Sequence, residues 1–460
     1  MIATETTGAE AGRAARAETP RSSHADWQPA ENRPDPVDLL EEQAMTRVPE
    51  LVPLRYGRMA TSPFAFFRGA AYVMAHDLSD SAQSGFRVQL CGDAHVANFG
   101  GFATPERNLL FDLNDFDETL PGPWEWDVKR FAASISVAAR ARGIKRKQRR
   151  KLVREAIERY RLAMREFASQ QTLDVWYARL GERELERIRS RVPASAAKRY
   201  DKTVAKARAK NSRRAFAKLT ERANGEIRIK ADPPLVVPIE AFLPDAEAAQ
   251  LHDAVGGLLE AYRESLPLDR RVLFDRFRYV HLARKVVGVG SVGTRAWVIL
   301  LLGRDDDDPL FLQAKEAQRS VLEPFAGPSE FDNQGQRVVE GQRRVQAASD
   351  IFLGWVRSPG IDGKERDFYV RQLWDWKVSA DLETATRDGL SLNTQVCAWT
   401  LARAHARTGD AGAIAAYLGS GESFDKALAE FAERYADQNE LDHAALLEAI
   451  ENGRVEAVTG

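Results

Sequence analysis

The sequence predicts an α+β protein with two lobes, in which helices form a large lobe and antiparallel strands form a small one. Residues 127–222 and 381–460 have helical periodicity and few glycines. Between them, residues 279–303 have the pattern of two apolar strands joined by a glycine turn, and residues 309–317 that of a third strand. Helices separated along the chain from a run of strands are typical of the α+β class.

Composition supports a globular protein without an obvious preference for charged polymers or membranes. The chain has 460 residues, of which 44% are hydrophobic and 29% are charged, so a substantial core is expected. A formal net charge of −1 gives no overall attraction to nucleic acid or to an anionic membrane. The sequence has neither an apolar run of about 18 residues nor the apolar core of a signal peptide. With two distant cysteines, Cys91 and Cys397, a cytoplasmic location is expected.

Four regions are predicted along the chain. They are a disordered N-terminal tail (1–46), a part of the large lobe with the first functional motif (47–232), the small lobe (233–380), and C-terminal helices that complete the large lobe (381–460). The tail is rich in Ala, Glu, Arg, Thr and Pro and has little apolar periodicity. A basic run at 142–154 is interpreted as a solvent-exposed helix face, because no aromatic residues interleave to stack on nucleic acid bases.

Further strands and helices are predicted within these regions. Two strands are expected before the first helical stretch, one from Phe86 and one over 108–115. The prolines of 231–240 indicate a linker. The linker is followed by a predicted helix, the three strands already described, a second helix and a last strand, at 245–265, 279–317, about 334–356 and 366–376.

The segment CGDAHVANFG at 91–100 carries the most specific functional pattern. It follows a strand and places Asn98 five residues after Asp93 on a tight loop. Phosphoryl transfer needs a carboxylate that positions the acceptor and oxygen ligands for magnesium, because the protein mainly positions groups and neutralises charge. We therefore expect Asp93 to orient or deprotonate an acceptor hydroxyl, and Asn98 to bind a metal ion.

A further acidic metal ligand is expected on the next strand, LLFDLNDFD. Asp112 and Asp115 are both candidates. Phe111, Leu113 and Asp115 are spaced two residues apart and so lie on one face of the strand, whereas Asp112 lies on the other face. The pattern favours Asp115 as the principal ligand and leaves Asp112 as the alternative.

The glycine turn is the second functional pattern and has the sequence GVGSVG, with Gly288, Gly290, Ser291 and Gly293 as candidate phosphate-binding residues. A dinucleotide-binding fingerprint would open a helix, but the strand AWVILLLG follows this turn. Strand, glycine turn and strand is instead the arrangement of the hairpin that covers nucleotide phosphates in kinases.

Lys315 lies on the next predicted strand, in FLQAKEA. Its ammonium group is expected to hold the α- and β-phosphates of a nucleotide, and a lysine in that role needs a carboxylate to position it. Glu340, on the helix that follows, is the predicted partner. We also expect the hairpin to lie over the 91–117 segment, so that Lys315 and Asp115 are close.

These motifs resemble those of known phosphotransferases. Residues 92–98 are similar to the catalytic loop of aminoglycoside phosphotransferases and of their choline- and homoserine-kinase relatives. Asp115-Phe116-Asp117 resembles the Asp-Phe-Gly motif of protein kinases, with Asp117 in place of the glycine. The resemblance implies a kinase-like fold, ATP and Mg²⁺ as cofactors, and an anchoring role for Asp127, which opens a helix in WEWDVKR.

The motifs occur in the reverse of the order found in ordinary kinases, since the catalytic loop precedes the glycine hairpin. A circular permutation of the two lobes explains this order, because chain termini commonly lie close together on the surface. The C-terminal segment VCAWTLARAHARTGD resembles the helix that precedes the catalytic loop in aminoglycoside-kinase relatives. The predicted fold is therefore a two-lobed kinase-like fold with permuted lobes.

Over about residues 45–440 the sequence is also similar to a bacterial family catalogued as domain of unknown function 2252. The similarity rests on segments throughout the chain, namely FFRGAA, CGDAHVANFG, FDLNDFDE, GPWEWDVKR, GVGSVGTR, QAASDIFLGW and FYVRQLWDWK. The family name implies no activity.

The sequence favours an ATP- and magnesium-dependent phosphotransferase that acts on a hydroxyl of a small molecule or a protein. Nucleotidyl transfer by the same fold, and nucleotide binding without catalysis, stay open as alternatives. The expected partners are a nucleotide and an unidentified acceptor, with neither a membrane nor nucleic acid.

Overall fold

The structure is a computed structural model that describes residues 8–190, 194–223, 225–242, 245–286, 288, 290–360, 362–373, 375–379, 382 and 385–458. Some positions of the predicted segments lie outside the described residues. Among them are residues 1–7 of the predicted tail, Val287 and Val289 in the predicted glycine hairpin, Trp374 of the predicted strand 366–376, and Asp381, where the C-terminal helices are expected to begin.

The first half of the chain is mainly helical and contains short strands. Its N-terminal helices are α1 (Gly8–Glu18), α2 (Pro36–Ala44), α3 (Val52–Ala60), α4 (Pro63–Gly69) and α5 (Ala71–Ser79). Short strands follow: β1 (Arg87–Leu90), β2 (Phe99–Ala103), β3 (Leu109–Leu113) and β4 (Leu120–Pro123). The next elements are α6 (Trp124–Ala141), α7 (Arg146–Ala168), α8 (Thr172–Tyr177), β5 (Leu180–Gly181), α9 (Glu182–Arg189), α10 (Ala194–Arg208), α11 (Ser212–Leu219), β6 (Thr220–Ala223) and β7 (Glu226–Ile229).

The second half contains the larger sheet and then returns to helices. Its first part comprises β8 (Val236–Pro238), α12 (Asp245–Glu264), α13 (Leu268–Phe274), β9 (Arg278–Lys285), β10 (Ala296–Leu302), β11 (Pro309–Ala317), α14 (Glu323–Ala326), α15 (Gln334–Val345), β12 (Gly354–Pro359), β13 (Glu365–Gln372) and β14 (Val378–Ser379). The C-terminal helices are α16 (Arg387–Thr408), α17 (Ala411–Leu418) and α18 (Ser423–Glu451). The protein is therefore of mixed α+β class with antiparallel sheets, as predicted.

The larger sheet has six antiparallel strands in the order β12-β13-β11-β10-β9-β8. Every residue of β11 is buried, because α12 covers one face of the sheet and α11 with β7 covers the other. A strand covered on both faces is expected to be apolar at nearly every position, which explains the run PLFLQA that precedes Lys315. Two polar side chains of this strand, Gln313 and Lys315, share one face with Phe311.

The helical core is built around α6. Each residue from Trp124 to Ala139 is buried, and the helix packs against α4, α7 and α18. Its second half, ASISVAARA, consists mostly of small residues that let neighbouring helices approach closely. Next to this core, β2 and β3 pair with Phe99 opposite Leu113. This register brings together the two loops that carry the functional motifs, 91–98 and 114–119.

Among the described residues, no helix combines the length and the apolar character needed to cross a bilayer.

The predicted disorder of residues 1–46 is wrong for most of this segment. Helix α1 packs on α17, where Arg16 donates from Nε to the Tyr417 carbonyl at 2.8 Å. His24 is buried and its Nε2 lies 2.7 Å from the Tyr417 hydroxyl. Trp27 is also buried and donates to the Asp77 carbonyl. The segment reaches the core through only a few large apolar residues, such as Trp27 and Leu40, and the many small and charged residues between them give it the composition of a disordered tail.

The helix predicted over about 334–356 is shorter than expected, since α15 ends at Val345. The Asp350 carboxylate accepts hydrogen bonds from the backbone N–H groups of Phe352 and Gln372 and holds a turn before β12. A side chain that binds nearby backbone groups in this way competes with helix formation. The strand β12 that follows was not expected from the sequence.

Close packing of α1 on α17 generates the first prediction. A Cβ atom added at Gly12 would lie 2.2 Å from the backbone carbonyl oxygen of Ala413, so Gly12→Leu should force α1 away from α17. Ala14, on the exposed face of the same helix, provides the control Ala14→Leu. We expect faster amide hydrogen exchange over 8–18 in Gly12→Leu alone, and equal exchange in both variants would contradict the packing described here.

Candidate functional site

The 91–98 loop is held by the side chain of Asp127 at the start of α6. Its two carboxylate oxygens accept hydrogen bonds from the backbone N–H groups of Cys91, at 2.8 Å, and Gly92, at 3.0 Å. The predicted anchoring role of Asp127 is confirmed by these contacts. Gly92 has φ of +84°, and a Cβ atom there would lie 2.2 Å from the Glu118 carbonyl oxygen, so the position requires glycine.

Asp93 faces the cleft with 19% of its side chain exposed. Arg130, one turn after Asp127 on α6, donates from Nε to Asp93 Oδ1 at 2.6 Å. Burial alone would raise the pKa of the Asp93 carboxyl, but the positive charge of Arg130 outweighs it and the pKa lies below its ordinary value. Asp93 is therefore ionised at neutral pH, with Oδ1 occupied by Arg130.

His95 supports the loop as a neutral imidazole. Its Nδ1 accepts a hydrogen bond from the Ala97 N–H at 3.2 Å, which assigns the ring proton to Nε2, 3.7 Å from Asp93 Oδ2. Burial lowers the pKa of His95 to about 4, so the ring carries no charge at neutral pH.

Asn98 and Asp115 lie at neighbouring ends of β2 and β3. The Asn98 carbonyl accepts from the Asn114 N–H at 2.9 Å, and the Asn98 side-chain amide donates to the Asp93 carbonyl at 2.8 Å. Burial would raise the pKa of Asp115, but the charges of Lys315 and Arg371 lower it below its ordinary value. The site thus holds an ionised Asp115 beside the Asn98 amide.

Asp112 lies in a different environment from Asp115. It is fully buried and forms an ion pair with Arg403 of α16, whose Nη2 lies 2.7 Å from Oδ1 and 2.9 Å from Oδ2. Asp112 Oδ2 also accepts from the Ala347 N–H at 2.9 Å. Its oxygens therefore join α16 and the chain after α15 to β3. The alternative prediction that Asp112 is a metal ligand is thus wrong, because both of its oxygens are used in these structural contacts.

Lys315 pairs with Asp117 rather than with the predicted partner. The Lys315 ammonium forms an ion pair with Asp117 Oδ2 across 198 residues of sequence, and the Tyr369 hydroxyl donates to Asp117 Oδ1 at 2.8 Å. Burial would lower the pKa of Lys315, but the Asp117 carboxylate outweighs this and raises it above its ordinary value. The ammonium is therefore charged although only 2% of the residue is exposed.

Glu340 instead accepts a hydrogen bond from Arg343 at 2.9 Å, so the expected Lys315–Glu340 pair is wrong. On the same helix it is Arg337 that reaches the functional loops, because it donates to the carbonyls of Asp117 and Thr119. Helix α15 thus contacts the 114–119 segment through an arginine and backbone oxygens.

The glycine turn lies over these loops, as predicted. The Ser291 hydroxyl is 3.3 Å from Asp117 Oδ2. A Cβ atom added at Gly290 would lie 2.9 Å from the Arg68 carbonyl oxygen, so the absence of a side chain allows the turn to approach α4. Gly288 and Gly290 line the same cleft as Asp93, Asn98 and Asp115, whereas Gly293 packs against the Arg47 side chain.

The resulting cleft has a volume of about 310 Å³. It lies between the glycine turn, the two functional loops, the segment after β11 and a wall formed by the chain at 42–47 and 68–72. Two hydrogen bonds between Thr46 and Gln318, each 3.0 Å long, join this wall to the segment after β11. The wall includes residues of the segment that the sequence predicted to be disordered.

Within the described part of the chain, no group of three or more His, Cys, Asp or Glu side chains is arranged to hold a metal ion. Mg²⁺ does not need such a group, because it commonly binds one or two carboxylates, several waters and substrate phosphates. Asp115, with Asn98 beside it, offers this smaller donor set. The residues therefore fit a magnesium ion that arrives with a phosphorylated ligand.

A family model described as "Uncharacterized protein conserved in bacteria (DUF2252)" matches residues 47–449. The chain belongs to the DUF2252 family. No curated protein and no solved structure matches it. The matched region of this DUF2252 protein contains every residue of the candidate site named above, except the part of the cleft wall before residue 47.

Three site residues of the DUF2252 protein were not identified as such from the sequence. Asp117 was noted only as the residue in place of a glycine, and Arg130 and Arg403 were not singled out. Arg130 could have been found, since it lies three residues after Asp127 and a helix places residues three apart on one face. The Asp112–Arg403 pair joins residues 291 positions apart and leaves no local pattern.

Glu118 generates a prediction about the pH dependence of stability. Burial raises the pKa of Glu118 from 4.5 to about 7, and its Oε2 accepts from the Val321 N–H at 2.8 Å. The folded state therefore binds a proton more tightly than the unfolded state, and the associated stability is present below about pH 4.5 and lost as the pH rises through about 7.

Glu118→Gln cannot ionise but can still accept from Val321. We expect it to flatten the fall in unfolding free energy between pH 5 and pH 8 and to be roughly 1–3 kcal/mol more stable than wild type at pH 8. Urea unfolding at several pH values measures this, with the exposed Glu451→Gln as control. A variant that follows the wild-type pH profile would show that Glu118 is ionised throughout.

Proposed function

We propose that this DUF2252 protein is an ATP- and Mg²⁺-dependent phosphotransferase with a permuted kinase-like fold, acting on a hydroxyl group. The observation that carries the proposal is the meeting of two distant motifs in one cleft. The 93–117 segment lines the cleft with Asp93, Asn98 and Asp115, and the glycine turn lines it with Gly288, Gly290 and Ser291. The charged and buried Lys315 lies behind this lining, where it contacts Asp117. Phosphoryl transfer needs this combination of positioning groups and charge neutralisation.

The state of Asp93 fits the orientation of an acceptor. An ionised carboxylate whose pKa is lowered by Arg130 is a weak base, but it accepts a hydrogen bond strongly. In the proposed reaction the acceptor oxygen forms a bond to the γ-phosphorus, and the bond to the β,γ-bridging oxygen breaks with its electron pair. The hydroxyl proton passes to Asp93 as this transfer proceeds.

Asp115 and Asn98 are the proposed magnesium-binding residues. A bound ion would supply positive charge against the phosphate oxygens of ATP. The carboxylate of Asp115 is half-buried and ionised, because the charge of Lys315 lowers its pKa, so it can receive a cation without first losing a proton. Asn98 adds an uncharged oxygen ligand. A second carboxylate in its place would repel the phosphate oxygens of ATP.

Lys315 and the glycine turn are the proposed phosphate-binding groups. The pair with Asp117 keeps the ammonium charged and pointed toward the loops, a role that a glutamate on the helix fills in ordinary kinases. The Ser291 hydroxyl of the turn contacts the same carboxylate oxygen as Lys315, Asp117 Oδ2. In this proposal Asp117 replaces Glu340 as the residue that positions the lysine.

The permuted kinase-like fold is supported by the position of α16. This helix follows the larger sheet in sequence, yet Arg403 contacts Asp112 and His405 Nε2 lies 3.4 Å from Asp127 Oδ2. The predicted permutation requires a C-terminal helix to pack beside the catalytic loop, although the helix comes far later in the sequence. The contact between Arg403 and Asp112, which are 291 positions apart, is of this kind. That packing is what the swapped order of the lobes requires.

Metal-dependent nucleotide binding is the first test. ATP with Mg²⁺ should raise the melting temperature of wild type, corresponding to about 2.7 kcal/mol at 100 times the Kd, and ATP with EDTA should not. Asp115→Asn should lose this metal-dependent shift and keep the melting temperature of the ligand-free protein. Asp112→Asn is the matched comparison.

Asp112→Asn should lower the unfolding free energy by about 3 kcal/mol, since it leaves Arg403 buried without its counter-charge, and should still bind Mg²⁺–ATP. The reverse pattern, with loss of binding in Asp112→Asn and normal binding in Asp115→Asn, would assign the metal to Asp112.

Turnover is the second test. Asp93→Asn keeps an oxygen for Arg130 but removes the acceptor-orienting charge, so background ATP hydrolysis should fall by about 100- to 10,000-fold. The affinity of Asp93→Asn for Mg²⁺–ATP should be unchanged, whereas Lys315→Met should lose both ATP hydrolysis and ATP binding. Loss of ATP binding in Asp93→Asn would reverse the proposed roles of the two aspartates.

Equal hydrolysis by wild type and Asp93→Asn, with intact ATP binding, would favour a nucleotide-binding protein without catalysis. Mass spectrometry of a modified acceptor separates phosphoryl from nucleotidyl transfer.

A further inference from the structure

The charged groups of the cleft are unevenly satisfied. Six carboxylates line it, and at least one hydrogen-bond donor from the protein reaches each of them: Glu42 accepts from Tyr72, Asp93 from Arg130, Asp115 from the Asp117 N–H, Asp117 from Lys315, Glu118 from the Val321 N–H and Glu316 from Arg295. The unsatisfied groups are instead on the arginines.

Two arginines in the wall of the cleft have buried N–H groups without an acceptor. The Nε atoms of Arg47 and Arg68 are both buried and have no hydrogen-bond partner among the described residues. Only 6% of Arg47 is exposed, and its Nη1 donates to the Val292 carbonyl. Buried donors without acceptors are rare in proteins, so a ligand that brings acceptor oxygens would complete this part of the cleft.

Arg68 lies beside the residue proposed to orient the acceptor. Arg130, which pairs with Asp93, also donates to the carbonyl of Phe67 at 2.8 Å and stacks on the Phe67 ring at 4.2 Å. This contact fixes the chain immediately before Arg68 next to Asp93. The Arg68 carbonyl lies close to Gly290, and Arg68 lines the same cleft as Asp93, where its charge helps Arg130 to lower the pKa of the Asp93 carboxyl.

Hydrogen bonds beside the cleft join the glycine turn to the N-terminal part of the chain. The Val48 N–H donates to the Gly293 carbonyl at 2.8 Å, and Arg58 donates to the Gly288 carbonyl at 2.6 Å. These contacts join the chain next to the wall to both ends of the glycine turn, and the Thr46–Gln318 hydrogen bonds join the wall itself to the segment after β11. A volume of about 310 Å³ suits a small molecule rather than a folded protein segment.

We propose that the acceptor is a small hydroxyl compound that carries a phosphate or carboxylate group, which Arg68 binds together with Arg47 while the hydroxyl lies at Asp93. Guanidinium groups bind such anions through charge-assisted hydrogen bonds. The inference rests on the proposed function, because it places the anion at the acceptor end of the cleft. An anion at this end is separate from the nucleotide phosphates held by Lys315.

The experiment measures anion binding in the presence of a nucleotide. Full-length protein is saturated with Mg²⁺ and a non-hydrolysable ATP analogue, and inorganic phosphate or malate is titrated while the melting temperature is followed. We expect at least one of these anions to raise the melting temperature further, and its apparent affinity to fall at least tenfold in Arg68→Gln. Affinity for the analogue should be the same in both proteins.

Arg304→Gln removes one positive charge from a turn outside the cleft and controls for net charge. Arg68→Lys, which keeps the charge but not Nε, should bind the anion with intermediate affinity, and the melting temperature of each ligand-free variant reports folding.

Four results would overturn the inference. If the anion raises the melting temperature equally in wild type and Arg68→Gln, Arg68 is not part of the site. If neither anion changes the melting temperature, the site does not exist. Competition between anion and analogue, with weaker analogue binding in Arg68→Gln, assigns Arg68 to the γ-phosphate. If the protein binds anions through Arg68 but never binds the analogue, the anion site stands, and both its acceptor role and the proposed function are wrong.

Discussion

The arrangement of the site depends on one ion pair, between the Lys315 ammonium and the Asp117 carboxylate. Lys315 is at the end of a strand whose every residue is buried, and a lone charge in that position would be strongly destabilising. The pair neutralises it and at the same time joins the six-stranded sheet to the loop after β3. Tyr369 of β13 and Ser291 contact the same carboxylate, so β13 and the glycine turn are both held by a single side chain. The geometry of the cleft follows from this convergence.

Local patterns were sufficient to predict much of the fold. The strand β11 was predicted with its observed ends, and the glycine turn was recognised because apolar strands flank it. The loop at 91–98 and its anchor Asp127 were also found, since the residue types, spacing and helix start are all visible within 40 residues of sequence. These features are determined by short-range backbone geometry and hydrogen bonding.

Long-range pairing could not be predicted in the same way. Nothing near Asp112 indicates Arg403, and nothing near Lys315 indicates Asp117, because each choice of partner depends on how distant segments are packed. The rule that a strand lysine pairs with a glutamate on the next helix led to the choice of Glu340. In the structure Glu340 instead accepts a hydrogen bond from Arg343, three residues later on the same helix. The N-terminal helices were missed for a related reason. Their stability comes from contacts of Gly12 and Arg16 with α17, whose sequence lies 400 residues away.

The wall of the cleft depends on residues from the beginning of the chain. Glu42, Gln43 and Thr46 lie before the matched region 47–449, whereas the loops 91–98 and 114–119 lie within it. A fragment limited to the matched region would therefore lack part of the wall. It would also lose the hydrogen bonds between Thr46 and Gln318, so the cleft would be wider on that side while the loops behind it keep their own contacts.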